Sequence, residues 1–184
     1  MKANANKLAY VGSKPKINNS ERDSDTWFTP EKYTKMVREV LGEIDLDPFS
    51  SAAGNKYIQA NRYITVEQDA LEQVWFENKG SVFMNPPYGR GLVNRAVTTF
   101  IRYWKEKNIT ESIVLVNNAT ETLWFQSALK ASSAICLPSG RIAFENNDGK
   151  HVSSNTRGQV FLYFGENRAH FKDVFNRIGV CLFS

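Results

Sequence analysis

Residues 81–89 read Ser-Val-Phe-Met-Asn-Pro-Pro-Tyr-Gly, and no other stretch limits the fold as much. Val82, Phe83 and Met84 are continuously apolar, the pattern of a strand buried on both faces, which is typical of parallel sheets. Pro86 and Pro87 then fix φ and remove two backbone donors, so neither a strand nor a helix runs on through them. Leu92, Val93, Ala96, Val97, Phe100, Ile101 and Trp104 follow at helical spacing. A buried strand, a stiff turn and an amphipathic helix make one unit of an open α/β sheet. The turn, with Asn85 at its head, falls at the C-terminal edge of the strand, where such sheets bind their ligands.

The rest of the chain repeats the alternation. Thr29-Pro30-Glu31 predicts a helix start, with a hydroxyl cap, proline in the first turn and an acid beside the dipole. The helix carries Tyr33, Met36, Val37, Val40 and Leu41 inward and stops near Gly42. Residues 43–47, 62–66, 112–116, 134–138 and 159–164 predict further strands, and 180–183 an edge strand. Residues 142–144 read as extended chain, residues 70–77 as a short helix or turn with Leu71, Val74 and Trp75 inward, and helices open at Thr122 and Phe171. Together these predict an α/β fold, a three-layer Rossmann-like sandwich around a mostly parallel sheet.

A chain of 184 residues, 42% of them hydrophobic, has the size of one domain with its own core. We expect that domain over residues 23–184. Ahead of it, residues 1–22 are polar, Asn-rich and aperiodic, the pattern of a flexible tail. Lys2, Lys7, Lys14, Lys16 and Arg22 there oppose only Glu21, which accounts for the whole net charge of +4. A basic arm of this kind suits a polyanionic partner, and it also reads as a solubilising terminus. No apolar run has the length of a membrane span and the N-terminus lacks the apolar core of a signal peptide, so we expect no membrane partner and a cytoplasmic location. Cys136 and Cys181 lie far apart in apolar runs and read as reduced core residues. His151 and His170 lack ligand spacing, and no metal site is expected.

The chemistry of the turn is that of an acceptor pair. An aromatic exocyclic amine has its lone pair delocalised into the ring and attacks carbon poorly unless its protons are held. The Asn85 side-chain oxygen and the Pro86 carbonyl offer two acceptors, with no proline N–H to compete. Tyr88 stands where a ring stacks on a base taken out of a duplex, and Gly89 lets backbone come close. The same tetrapeptide would also serve as a plain turn after a buried strand.

Asn85-Pro86-Pro87-Tyr88 resembles the catalytic motif of the S-adenosylmethionine-dependent N6-adenine DNA methyltransferases. The segments Trp27-Phe28-Thr29-Pro30, Asp47-Pro48-Phe49-Ser50, Gln68-Asp69-Ala70-Leu71 and Ser139-Gly140-Arg141-Ile142-Ala143-Phe144 follow the order of the small phage-type members, over most of residues 27–165. The resemblance implies a methyltransferase version of the sandwich, S-adenosylmethionine as cofactor, double-stranded DNA as partner, a GATC-like target, a phage or prophage origin in a bacterial host, and a monomer or weak homodimer. It also implies that Trp27, Thr29 and Pro30 close over the methionine end of the cofactor. Related motifs act on RNA guanine and on protein glutamine, and these substrates, or an inactive nucleic-acid-binding relative, are the alternatives.

Other candidates come from position. Asp47, with Pro48, Phe49 and Ser50 after a strand end, is placed against the charged methionine end of the cofactor, in a loop with serines and alanines where glycines are usual. Carboxylates following the next strand accept from ribose hydroxyls or an adenine amine in such sheets; Asp69 is the first choice and Glu67 the second. The spacing from Asp47 to Asp69 is short for a full strand–helix–strand unit, so the two acids are merged or a strand is lost. Arg90 lies beside the turn, and Arg141, Lys150, His151 and Arg157 sit in or next to a polar loop suited to base-edge contacts.

Overall fold

The computed structural model describes residues 28–145 and 157–184. Trp27, Lys150, His151 and the basic tail lie outside them. In chain order the elements are α1 (Glu31–Leu41), β1 (Leu46–Asp47), α2 (Ala52–Ile58), β2 (Arg62–Tyr63), β3 (Gly80–Met84), α3 (Leu92–Lys105), β4 (Ile109–Asn117), α4 (Leu123–Ala131), β5 (Ala134–Pro138), β6 (Gln159–Phe164), α5 (Arg168–Phe175) and β7 (Gly179–Phe183).

Among the described residues the strands form one sheet in the order β2-β1-β3-β4-β6-β5-β7. The β2-β1-β3-β4 half is parallel. The pairs β4–β6, β6–β5 and β5–β7 are antiparallel, so β6 and β7 run against the other five. Side chains alternate across the sheet. Phe83, Ile113, Leu115, Phe161 and Tyr163 face one layer, where α1 and α5 supply Val37, Val40, Phe171 and Phe175. Val82, Met84, Val114, Val116, Leu162 and Phe164 face the other, met by Val93, Val97 and Phe100 of α3 and by Phe125 and Ala128 of α4. This is the expected three-layer sandwich, and a β3 with all five residues buried needs both layers.

The strand that carries the first candidate acid is only two residues long and meets β3 through the single register pair Leu46–Val82. Side chains reinforce it. Ser81 N donates to Asp45 Oδ2 (2.8 Å), Ser81 Oγ donates to Glu43 O (2.7 Å) and Asp45 N donates to Ser81 Oγ (3.0 Å). Gly80 makes the approach possible, since a Cβ there would lie 2.5 Å from Phe76 Cε1.

Three expectations are corrected. Thr29 does not cap α1; the cap position is Pro30, with no side-chain bond, which leaves Thr29 one residue outside it. Val74 points outward at 63% exposure, while Trp75 takes the core place, stacked on Tyr103 at 5.1 Å and donating its Nε1–H to Ala70 O. Arg62 donates to both Val74 O and Trp75 O and so fixes this turn to β2. The predicted helix at residue 171 begins earlier, at Arg168, because Asn167 accepts from His170 N. Cys136 and Cys181, distant in the sequence, are buried core residues, as expected, and the β5–β7 register sets them directly opposite each other.

Candidate active site

A cavity of about 560 Å³ opens at the C-terminal edge of the parallel half. That volume is within the ordinary range for small-molecule sites. The strand ends build it. Asp47 closes β1, Asn85 follows β3 and Asn117 ends β4, all bordering the space. Parallel strands deliver these residues to one edge because every crossover returns the chain to the opposite edge first.

The catalytic candidates Asn85, Pro86, Pro87 and Tyr88 line the cavity together. Asn85 is half-buried, and its Nδ2 donates to Thr29 Oγ1 at 3.3 Å, which leaves Oδ1 as the acceptor not used in that bond. Thr29 is 3% exposed at the head of α1. Its hydroxyl accepts from the amide and makes no cap bond to α1, whose cap position is Pro30. Tyr88 is also held by more than its ring: Asn117 N donates to the Tyr88 hydroxyl at 2.7 Å. Burial pushes the Tyr88 phenol well above its usual range, with the Asn117 N–H and nearby Arg157 opposing, so the hydroxyl stays neutral. Arg90 is in the single turn Gly89–Gly91 that leads into α3, where Gly91 takes φ +80°.

Of the cofactor candidates, Thr29, Asp47, Pro48, Phe49, Ser50 and Asp69 join Asn85 in the wall. Pro30 is buried and does not line the cavity. Asp47 is 1% exposed; its Oδ1 accepts from Phe49 N at 3.1 Å, while Oδ2 is buried with no hydrogen-bond partner. Burial pushes its carboxyl up to about 7, opposed by the Phe49 N–H and more weakly by the neighbouring Ser50 hydroxyl. Ser50 Oγ, which makes no hydrogen bond of ordinary geometry, is orphaned in the same place. Such groups are costly unless something pairs with them. A cation with N–H donors, such as the ammonium of a methionine moiety, fits both orphans. Gly54 belongs to this cradle, since a Cβ there would come 3.2 Å from Phe28 Cδ1 and 3.3 Å from Ser50 Oγ.

Asp69 is exposed and left-handed at φ 52°, with Oδ1 accepting from Leu71 N at 3.0 Å. Glu67 is exposed and outside the cavity wall, its carboxyl held low by the Thr65 side chain. Arg141 is exposed and outside the wall as well, whereas Arg157 lines it. The merged-unit expectation has a geometric counterpart: β1 and β2 are joined by the seven-residue α2, and among the described residues no strand lies outside β2. Sequence reasoning passed over Phe28, Val66, Leu71, Leu92, Asn117 and Phe144, which also form the wall. Asn117 had a signal: it is the polar residue that ends a buried apolar strand at the ligand-binding edge. Among the described residues no group of three or more His, Cys, Asp or Glu is placed to hold a metal, and no helix is long and apolar enough to cross a membrane.

Among curated proteins, no sequence matches this chain. Among solved structures, the chain is similar to a Listeria monocytogenes protein described as a class I S-adenosylmethionine-dependent methyltransferase, at 14% identity and a TM-score of 0.41. The match covers 77% of this chain and 62% of that one, so the chain spans less than two thirds of that protein's length. The family described as DNA N-6-adenine-methyltransferase (Dam) matches residues 16–178, nearly the whole chain. The chain therefore belongs to the Dam family.

Proposed function

We propose that this protein methylates the exocyclic N6 of adenine in double-stranded DNA by direct in-line attack, with the base taken out of the duplex into the Asn85–Tyr88 loop. The observation that carries the reading is one cavity joining two unlike groups: the buried, half-partnered Asp47 carboxylate and the Thr29-oriented Asn85 amide.

S-adenosylmethionine, when bound, supplies a methyl group on a positively charged sulfur. Asp47 and Ser50 hold the ammonium of its methionine end, Phe49 and Pro48 cover it, and Asp69 offers a carboxylate oxygen to the nucleoside end. Thr29 keeps Nδ2 of Asn85 occupied, so that Oδ1 accepts from one proton of the target amine. The Pro86 carbonyl accepts from the other, and Pro87 brings no donor to compete. Holding both protons draws the nitrogen lone pair out of the ring. Tyr88 stacks on the base, and the Asn117 N–H fixes the tilt of its ring. Arg157 and the basic arm of residues 1–22 supply phosphate or base contacts.

Transfer of tritium from labelled S-adenosylmethionine tests the reading against its rivals. Label is expected in unmethylated duplex DNA, in adenine N6, and not in tRNA or protein. Label in RNA or in glutamine side chains would redirect the assignment, and cofactor binding with no transfer to any of the three would mark an inactive relative.

A further inference from the structure

Gln159 opens β6 and is 5% exposed, ahead of Val160, Phe161, Leu162, Tyr163 and Phe164. An apolar side chain would suit that burial better, yet every polar atom of Gln159 is used. Its Nε2 donates to Asn117 Oδ1 at 3.2 Å and to Arg157 O at 2.8 Å, and its Oε1 accepts from Ile142 N at 3.2 Å. The amide has one workable orientation, because a backbone carbonyl needs a donor and a backbone N–H needs an acceptor. A buried, fully satisfied amide specifies one arrangement of the segments it joins.

Those segments converge on both catalytic side chains. Asn117, opposite Gln159 in the β4–β6 register, donates its own N–H to the Tyr88 hydroxyl. Ile142 lies three residues ahead of Glu145, which pairs with Phe28, the neighbour of the Thr29 that binds Asn85. On the other side, Gly158, next to Arg157, lies against the β4 exit: Asn118 N donates to Gly158 O, and a Cβ on Gly158 would lie 2.7 Å from Asn118 Nδ2.

We propose that Gln159 is a positioning residue for methyl transfer: it holds the Tyr88 ring, through Asn117, in register with Arg157 and the 142–145 segment, and so sets how the target base is seated without touching it. The inference rests on the reading that Tyr88 stacks on that base.

The test is a double-mutant cycle on kcat with unmethylated duplex DNA at saturating cofactor. Gln159→Leu is expected to lower kcat about fivefold in the wild-type background, the scale of one buried hydrogen bond, and less than about twofold when Tyr88→Phe has already cut the hydroxyl link. The melting shift given by the demethylated cofactor product should stay intact. Equal losses in both backgrounds, or an unchanged kcat, would overturn the proposal and leave Gln159 a purely structural amide. Should Gln159→Leu fail to fold, Gln159→Glu runs the same cycle, since it keeps the acceptor for Ile142 N–H but gives no donor to Asn117. A wild-type rate in Tyr88→Ala would instead sink the stacking reading itself.

Discussion

Two strand ends meet in the cavity and treat a polar side chain in opposite ways. After β3, Asn85 is neutral, half-buried and partnered by Thr29, so its orientation is set before any ligand arrives. At the end of β1, Asp47 is ionisable, fully buried and bonded through one oxygen only. On the proposed reading the amide serves the transition state, where a group already in place needs no reorganisation. The carboxylate, on the same reading, serves a ground-state partner, because an unpaired buried charge above its raised titration range is relieved by a bound cation. The two should therefore fail differently.

The largest expected effect is on turnover. Asn85→Ala should lower kcat by roughly 10²- to 10³-fold, by analogy with removal of one preorganised polar group at an oxyanion site. Asn85→Asp should keep more activity, since a carboxylate still accepts from the amine. The melting shift produced by cofactor should survive in both, and near wild-type turnover by a folded Asn85→Ala protein would mean that the loop is not catalytic.

Asp47 should show the reverse pattern. Asp47→Asn is expected to weaken S-adenosylmethionine at least about 30-fold, the low end for truncating one partner of a buried charge pair, and to remove the ligand-induced rise in melting temperature. Ligand-free, the variant should melt higher than wild type at pH 8. The sign follows from proton counts. The folded carboxyl is pushed up to about 7 from an unfolded value of 3.8, so between those pH values the native state binds more protons and wild-type stability falls as pH rises, then levels off above about 7. Cofactor binding, which needs the carboxylate, should in turn weaken about tenfold per unit as pH falls below about 7, and Asp47→Asn should flatten that profile. Calorimetric titration between pH 5.5 and 8 separates the two slopes; a flat wild-type profile would show that Asp47 does not face the cofactor's charge.

Smaller effects sharpen the contrast. Thr29→Val frees the Asn85 amide to rotate and should cost about tenfold in kcat with cofactor affinity unchanged, recovered by Thr29→Ser. If cofactor affinity falls instead, Thr29 belongs to the ground-state side of the comparison. Tyr88→Phe keeps the ring but leaves the Asn117 N–H unpartnered, and we expect a three- to tenfold loss, against a severe loss for Tyr88→Ala. Indistinguishable Phe and wild-type rates would show that the hydroxyl anchor is dispensable.

Much of the fold was legible because its signals are local. The apolar run 82–84, the helical spacing of Val93, Val97 and Phe100, and the prolines at 86 and 87 act through chain geometry alone, and β3 and α3 follow them closely. Asp47 was legible too, as a polar residue ending a strand at the ligand-binding edge. The failures were competitions. Thr29 has a cap's side chain, yet Pro30 takes the cap position and the Thr29 hydroxyl bonds an amide 56 residues away, a partner that nothing in the local sequence announces. Val74 and Trp75 are both apolar, and only the fit of an indole against Tyr103 chose between them.

The sequence by itself therefore determined which strands are buried on both faces, where the rigid turn falls and which residue types stand at the strand ends, since periodicity and proline stereochemistry are written residue by residue. Only the tertiary structure decided which of those ends share a cavity and how each polar group in it is paired. Asp47 Oδ2 is orphaned, Tyr88 is anchored by the end of β4, and Gln159 ties that end to Ile142 and Arg157 because distant segments exclude water from the same small volume. Where water is excluded, each donor must find its acceptor among whatever the fold has brought near.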